Sequence, residues 1–140
     1  MLINQKFPAK LSSLSQMLQF IRTQMQEYIP DITEQRRLEL CAEEILVNII
    51  DYAYPETDGS LSISIEFKSL DKDNKQFCLT FIDNGIPYNP LTNQKEKPNI
   101  RSIEEQSVGG LGVFLYTTIM DGVNYQYLNG MNQLMIWKNL

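Results

Sequence analysis

Residues 44–54 read EILVNIIDYAY, and the helix to which this stretch belongs decides the fold of the chain. Apolar residues recur at helical spacing from about Thr33 to Tyr54, and Pro55 ends the segment. One broad apolar face comprises Leu38, Ala42, Ile45, Leu46, Ile49 and Ala53, and a second apolar patch comprises Leu40 and Val47. A helix with so broad an apolar face is expected to pack against another layer of structure.

A narrow polar stripe separates the two apolar patches. It comprises Arg37, Glu44, Asn48 and Asp51. The side chains of Glu44 and Asn48 point the same way because they are one helical turn apart. Polar groups flanked by apolar ones are unfavourable unless something pairs with them. A hydrated cation with a phosphate group could do so, and so could an intrahelical hydrogen bond or a buried water. Glu43 is instead expected to be a solvated surface charge.

The segments on either side of this helix predict the rest of the fold. A strand around Ile3–Phe7 precedes a helix from about Ser12 to Tyr28, which Ser12 or Ser13 can cap. The later elements are strands at 61–67 and 76–82, a helix at 109–120, and strands at 123–128 and 133–138 that turn at Asn129-Gly130. This order predicts an α+β fold: a two-layer α/β sandwich with a mixed, mainly antiparallel sheet and helices on one face. The length fits one domain over residues 1–140.

A second informative stretch follows the strand at 76–82. Residues 83–90 read DNGIPYNP, and Asp83 continues the core-facing row Phe77, Leu79 and Phe81. A carboxylate at the end of such a row can accept a hydrogen bond from a buried donor such as an exocyclic amine. Gly85 would let the backbone approach a flat ligand. The alternative is an Asx-turn that ends the strand.

A third stretch is rich in glycine where a helix begins. Residues 108–115 read VGGLGVFL. Glycines that open a helix let amide N–H groups and the positive end of the helix dipole approach phosphates, although glycine triplets also occur in tight turns. The irregular segment from Asp83 to Val108 is long for a compact domain, and such loops are usually functional or mobile.

The composition excludes several classes of chemistry. The chain has no histidine, which rules out Ser-His-Asp and Cys-His nucleophile systems, zinc sites built on imidazole, and autophosphorylation on histidine. A net charge of −5 argues against a direct nucleic-acid surface. We expect a cytoplasmic protein without membrane contact, because no signal peptide and no apolar membrane span are found. Cys41 and Cys78 lie in apolar patterns and are expected to be buried free thiols.

Taken in order, the three stretches resemble the motifs of the GHKL ATPase superfamily. Residues 44–54 resemble its N-box, residues 83–90 its first glycine box, and residues 109–112 its second, with an ATP lid between the two boxes. The chain is most similar to the anti-sigma factor serine kinases, in which the helix after the second box often ends in Met-Asp, here Met120-Asp121. The resemblance covers essentially the whole chain and implies a single histidine-kinase-like ATPase domain with the Bergerat-type ATP-binding fold.

The resemblance implies a role for each matching residue. Glu44 would be the general base that orients or deprotonates the attacking hydroxyl, and Asn48 would ligate Mg²⁺. Asp83 would accept a hydrogen bond from the adenine amine, with Gly85 beneath the ring. The other implied nucleotide-binding positions are Tyr88, Gly109, Gly110, Leu111 and Gly112. The three glycines among them would hold the phosphates and let the lid hinge.

These roles describe an ATP- and Mg²⁺-dependent protein serine/threonine kinase of a partner-switching pathway. It would bind a sigma factor and phosphorylate a small antagonist protein. A homodimer is expected from the resemblance and because the first strand and the apolar face of Leu14–Met25 need cover. Two alternatives stay open: a non-catalytic module whose partner affinity is set by nucleotide, and the ATP-binding domain of a histidine kinase acting in trans. A purely structural domain is the least favoured interpretation, because the three motifs occur in the order that the family has.

Three departures from the family pattern bear on catalysis. Tyr52 stands where many members have histidine, and Met131-Asn132 replaces a Gly-Thr pair. Gln106 and Ser107 stand where some kinases carry an arginine, which removes a candidate phosphate contact. The basic residues that could replace that contact are Lys95, Lys97 and Arg101. Nucleotide binding is expected to survive these changes more easily than efficient phosphoryl transfer.

Overall fold

The computed structural model describes residues 2–92 and 108–140, and for residues 108–111 it describes the backbone only. The strands are β1 (Leu2–Pro8), β2 (Ser60–Ser69), β3 (Lys75–Asp83), β4 (Gly122–Leu128) and β5 (Met131–Asn139). The helices are α1 (Leu14–Tyr28), α2 (Ile32–Tyr52) and α3 (Val108–Ile119). Every strand and helix expected from the sequence is present in the expected order.

The strands form a five-stranded sheet in the order β1-β2-β3-β5-β4. All four neighbouring pairs are antiparallel, whereas the sequence left room for a parallel pair. After β3, the chain runs through α3 to β4 at the far edge of the sheet. It then turns back into β5, which lies between β4 and β3. The α+β two-layer fold is confirmed, and the parallel component that a mixed sheet would contain is not seen in the described part.

The core lies between the helices and one face of the sheet. Alternate strand residues face the helices, which is the period-2 pattern of a sheet covered on one side. Met17, Ile21 and Met25 of α1 are fully buried within this core. The apolar face of α1 is therefore covered by the chain's own sheet. The expectation that this face needs a second copy for cover was wrong, because the face is already packed.

The helix ends show which capping predictions the chain follows. Asp31 caps α2 by accepting a hydrogen bond from the backbone N–H of Thr33 at 2.9 Å, so the helix begins at Ile32. Ser13 precedes α1 but makes no capping hydrogen bond, because a single 3₁₀ turn (Leu11–Ser13) leads into the helix instead. The predicted serine cap is therefore not formed.

The hairpin between β4 and β5 turns where the sequence predicts. Asn129 has φ of 54° and Gly130 has φ of 77°, the left-handed pair of a tight two-residue turn. This turn sets the register that pairs Tyr125 with Leu134 and Tyr127 with Asn132. As a result, Asn132 faces the helices, directly beside Asp83 of β3.

Cys41 and Cys78 are both buried and free, as predicted. Within residues 2–92 and 108–140, none of the helices combines the length and apolar character needed to cross a bilayer.

Candidate functional site

A cavity lies between the C-terminal half of α2 and the strands β3 and β5. It holds about 490 Å³ of space, counting the part open to solvent. Asn48 of α2, Asp83 at the end of β3 and Tyr88 in the following loop line it together. These residues are far apart in sequence, so the fold brings together two of the three stretches that the sequence singled out.

Asp83 is held at the base of the cavity with only one of its two carboxylate oxygens engaged. Its side chain is 5% exposed. Oδ1 accepts hydrogen bonds from the Gly85 backbone N–H at 2.8 Å and from Asn132 Nδ2 at 2.9 Å. Oδ2 has no hydrogen-bond partner in the described part of the chain. Burial raises the pKa of Asp83, and these two hydrogen bonds oppose that shift. The site therefore offers a fixed acceptor.

Asn132 organises the groups around Asp83. Its Nδ2 also donates to the carbonyl of Ile86 at 2.9 Å, and its Oδ1 accepts from the Tyr88 N–H at 3.1 Å and from the Tyr125 hydroxyl. Sequence reasoning recorded Asn132 only as a departure from a family pattern. The signal that could have found it is the one that found Asp83: a polar residue in an inward-facing row, here followed by Leu134 and Ile136.

The end of α2 fixes the start of the loop that follows β3. The Tyr54 hydroxyl donates to the Ser60 carbonyl at 2.6 Å and accepts from the Asn84 N–H at 2.8 Å. A Cβ on Gly85 would lie 2.3 Å from the Ala53 carbonyl oxygen. Glycine is needed at residue 85 because the backbone of α2 passes so close. This reason differs from the expected approach of a flat ligand.

Glu44 and Asn48 face the interior without partners, unlike Asp83. The buried Oε2 of Glu44 has no hydrogen-bond partner in the described part of the chain. The half-buried Asn48 side chain lines the cavity, and none of the hydrogen bonds between described residues involves it. The intrahelical hydrogen bond weighed as an alternative is therefore not formed. Burial, and then the charge of Glu43, raise the pKa of Glu44. Glu43 itself is exposed, as predicted.

The rest of the polar stripe on α2 is not enclosed. Arg37 and Asp51 are exposed, and Leu40 of the second apolar patch is 45% exposed. The stripe is thus covered only around Glu44 and Asn48. The reason is that the sheet covers only the broad apolar face of α2.

The glycine-rich stretch at residues 108–115 contacts α2 at Glu44. A Cβ on Gly112 would lie 2.4 Å from Glu44 Oε2, so glycine lets α3 lie directly against this carboxylate. Gly109, Gly110 and Leu111 lie in the first turn of α3, where backbone N–H groups lack helical partners. The predicted lid is described only through residue 92. The alternative phosphate contacts Lys95, Lys97 and Arg101, and the departures Gln106 and Ser107, lie outside the described residues.

The two groups of residues are suited to different parts of a nucleotide. The Asp83 end presents a buried acceptor between apolar walls, which fits the amine of a heterocycle. The other end presents the Asn48 carboxamide, a Glu44 carboxylate whose Oε2 has no partner among the described residues, and the N-terminus of a twelve-residue helix. Hard oxygen donors and a helix N-terminus are compatible with Mg²⁺ and phosphates. The residues present therefore fit both ATP and a magnesium ion.

Comparison with known proteins agrees with this geometry. A sequence profile described as "Histidine kinase-like ATPase domain" matches residues 7–138. The serine/threonine-protein kinase BtrW of Bordetella bronchiseptica is 30% identical over 100 residues, which cover 71% of this chain and 66% of that protein. The serine-protein kinases RsbW of Bacillus cereus and Bacillus mycoides are 28% and 29% identical over 102 and 101 residues, or 70% of this chain. The matched part spans only 60% of the length of each Bacillus protein.

Proposed function

The chain belongs to the histidine kinase-like ATPase domain family, as its motifs predict, and from that membership we propose that it is an ATP-binding protein serine/threonine kinase. Its substrate is a small antagonist protein of a partner-switching pathway, and the kinase also binds a sigma factor. The similar proteins of Bordetella and Bacillus are named as serine or serine/threonine kinases, which supports this reaction. Residues 1–140 act as one ATPase domain in the cytoplasm.

Asp83 is the observation that carries the nucleotide-binding part of the proposal. Asn132 and the Gly85 N–H hold Oδ1, while Oδ2 remains available to accept from the 6-amino group of adenine. An amine that donates to Oδ2 would complete the hydrogen bonding of this carboxylate. Tyr88, whose backbone is fixed by Asn132, lines the same cavity.

Asn48 is the proposed protein ligand of the magnesium ion. Its side-chain oxygen has no competing partner in the described ranges, and Mg²⁺ usually takes few protein ligands and fills its other positions with water and phosphate oxygens. When bound, the ion supplies charge neutralisation for the phosphates. Gly109, Gly110, Leu111 and Gly112 place the N-terminus of α3 beside Glu44, where its N–H groups can bind phosphate oxygens.

Glu44 is the proposed general base. The serine oxygen of the antagonist attacks the γ-phosphorus and its proton passes to Glu44, while the bond from that phosphorus to the bridging oxygen breaks and ADP leaves. The raised pKa of Glu44 makes it a better proton acceptor than a solvated carboxylate. Gly112 keeps the space beside this carboxylate free of a side chain.

A homodimer remains part of the proposal, with less support than the sequence suggested. The α1 face that was expected to need cover is packed in the core. The unpaired edge of β1 is the remaining surface in its favour, although Lys6 and Pro8 are features that discourage pairing at an edge. Light scattering at high protein concentration tests this, and a mass of 16.2 kDa would exclude the dimer.

The binding step is tested by calorimetry with Mg-ATP. Asp83→Asn is expected to weaken ATP binding by at least about tenfold while the fold is retained, because the amide keeps one acceptor but turns the other into a donor that opposes the adenine amine. The control is Asp73→Asn, at an exposed carboxylate in the β2–β3 loop, which should bind as the parent does. Absence of nucleotide binding by the parent at millimolar ATP contradicts the proposal.

The catalytic step is tested with labelled ATP and a candidate antagonist that carries an exposed serine. Glu44→Gln should keep ATP affinity within a few fold and reduce transfer by about two to four orders of magnitude. Glu43→Gln is the matched control, since it removes the adjacent exposed carboxylate, and should retain transfer. Asn48→Ala should lose both binding and transfer. Nucleotide binding without any transfer by the parent would favour the nucleotide-gated module instead.

A further inference from the structure

Tyr116 lines the cavity and carries a buried hydroxyl without a partner among the described residues. It lies on α3 one helical turn after Gly112, and its side chain is completely buried. The residue packs in the hydrophobic core and also lines the cavity that contains Asp83 and Asn48. The hydroxyl oxygen is buried and has no hydrogen-bond partner in the part of the chain that the structure describes.

Stability of the folded chain does not explain this hydroxyl. Most buried side-chain polar atoms in folded proteins have a partner, and leaving one unpaired destabilises the folded state. A phenylalanine would fill the same space without that penalty. The hydroxyl therefore needs a partner from outside the described residues, and a ligand that enters the cavity can supply one.

The Tyr116 hydroxyl is a hydrogen-bond donor at neutral pH. Burial raises its pKa, and Tyr88, Cys41 and Glu44 add smaller contributions in the same direction, so the group keeps its proton. The nearby walls contributed by Ile45, Phe81 and Leu134 are apolar. With Asp83, the cavity therefore offers one acceptor and one buried donor between apolar surfaces. That combination complements a flat heterocycle that carries an amine next to a ring nitrogen.

We propose that the Tyr116 hydroxyl donates a hydrogen bond to a ring nitrogen of adenine while Asp83 accepts from the adenine amine. The nitrogen is N1 or N7, the two ring acceptors that flank this amine. Tyr116 is then a further nucleotide-binding residue. It also contributes to specificity if the contacted atom is N1, because a purine with a carbonyl oxygen in place of the amine carries a proton on N1 and cannot accept from the hydroxyl. The inference rests on the proposed binding of ATP in this cavity.

The experiment compares the parent with Tyr116→Phe, which removes only the hydroxyl. Calorimetry should show ATP binding about 5- to 15-fold weaker in the variant. The melting temperature of the ligand-free variant should be unchanged or a few degrees higher, because an unpaired buried hydroxyl has been removed. Tyr127→Phe, at an exposed tyrosine of β4, is the matched control and should match the parent in both measurements.

Two analogues identify the nitrogen. The same titrations are made with 1-deaza-ATP and 7-deaza-ATP. The analogue that lacks the contacted nitrogen should bind the parent and Tyr116→Phe equally, whereas the other should keep the difference between the two proteins. This pattern assigns the hydrogen bond to N1 or to N7.

Three results overturn the inference. Equal ATP affinity of the parent and Tyr116→Phe refutes it while leaving the proposed function standing. The same loss of affinity for ATP and for both analogues, together with a lower melting temperature, identifies a purely structural role for the hydroxyl. Failure of the parent to bind ATP refutes the proposed function, and the inference fails with it.

Discussion

The candidate site has two ends, one around Asp83 and one around Glu44 and Asn48, and their polar side chains are held in opposite ways. At one end, Asn132 ties Asp83, Ile86 and Tyr88 together through hydrogen bonds of 2.9–3.1 Å. At the other end, Glu44 Oε2 is buried without a partner in the described ranges. The first end is held by hydrogen bonds within the chain before any ligand arrives, whereas Glu44 at the second end has no partner among the described residues.

This difference matches the proposed division of work along the nucleotide. The adenine ring does not change during phosphoryl transfer, so its contacts can be fixed in advance at no later penalty. The charge on the transferred group does change, and unpaired groups such as Glu44 can then form interactions that are strongest in the transition state. We therefore expect that the loss of an internal hydrogen bond at the fixed end lowers stability, while changes at the open end mainly alter activity.

The largest effect on stability is expected for Asn132→Leu. The change leaves Asp83 Oδ1, the Ile86 carbonyl and the Tyr88 N–H without this partner, the first in a buried and the other two in a part-buried setting, so the free energy of unfolding should fall by about 2–4 kcal/mol. Denaturant titration measures this. Gln133→Leu, on the opposite face of β5, is the control and should change stability by less than about 0.5 kcal/mol. Similar losses in the two variants would show that the fixed end is not stabilised by Asn132.

Two glycine-to-alanine variants, one at each end, compare the two ends directly. In Gly85→Ala the new methyl group meets the backbone oxygen of Ala53 at 2.3 Å, which should destabilise the fold by about 1–3 kcal/mol. In Gly112→Ala the new methyl group would lie 2.4 Å from Oε2, at the end of the flexible Glu44 side chain, so the carboxylate should move aside. The free energy of unfolding should then change by less than about 1 kcal/mol.

Gly112→Ala should affect phosphoryl transfer more than it affects stability. Displacement of the proposed base in Gly112→Ala should lower phosphoryl transfer by about tenfold to a hundredfold. Denaturant titration and a transfer assay on the same samples make the comparison. A Gly112→Ala protein that is less stable than Gly85→Ala, or that keeps full activity, would contradict the proposed contrast between the ends.

A smaller loss is expected for Tyr54→Phe. The variant loses the hydrogen bonds to the Ser60 carbonyl and from the Asn84 N–H, both at the fixed end, and the free energy of unfolding should fall by about 1 kcal/mol. Thermal unfolding measures the change, with Tyr127→Phe as an exposed control. If Tyr54→Phe has the same melting temperature as the parent, these two hydrogen bonds do not stabilise the first glycine box.

The smallest effect is a pH-dependent gain in stability for Glu44→Gln. Burial raises the pKa of Glu44 above its ordinary value of 4.5, so ionisation of the folded protein is unfavourable. The parent therefore loses stability as the pH rises from 4.5 through the raised pKa, and the variant does not. Above that pKa the variant should be more stable by less than about 1 kcal/mol, since the group is partly solvated.

Unfolding free energies at a series of pH values measure this gain. Glu56→Gln, on an exposed loop residue, should follow the parent at every pH. A Glu44→Gln protein that is less stable than the parent at neutral pH would show that the carboxylate has a stabilising partner.

The sequence predicted the elements better than it predicted their surroundings. Hydrophobic period and turn residues give the helices, the strands and the Asn129-Gly130 hairpin, because these depend on neighbours along the chain. The covered face of α1 was misjudged, since burial of Met17 or Ile21 depends on which surface packs over them. Residues 93–107 of the predicted lid stay a prediction, because they lie outside the described part.

The same division between sequence and structure applies to the candidate site. Polar residues in apolar patterns were enough to single out Glu44, Asn48 and Asp83, because a polar group in a core-facing row is unfavourable in any fold. Only the tertiary structure decided which of them have partners. Asn132 reaches Asp83 from a strand 49 residues further along the chain, and α3 carries Tyr116 to the same cavity. Contacts of this kind depend on the register of strands and the packing of helices, which short-range patterns in a sequence do not contain.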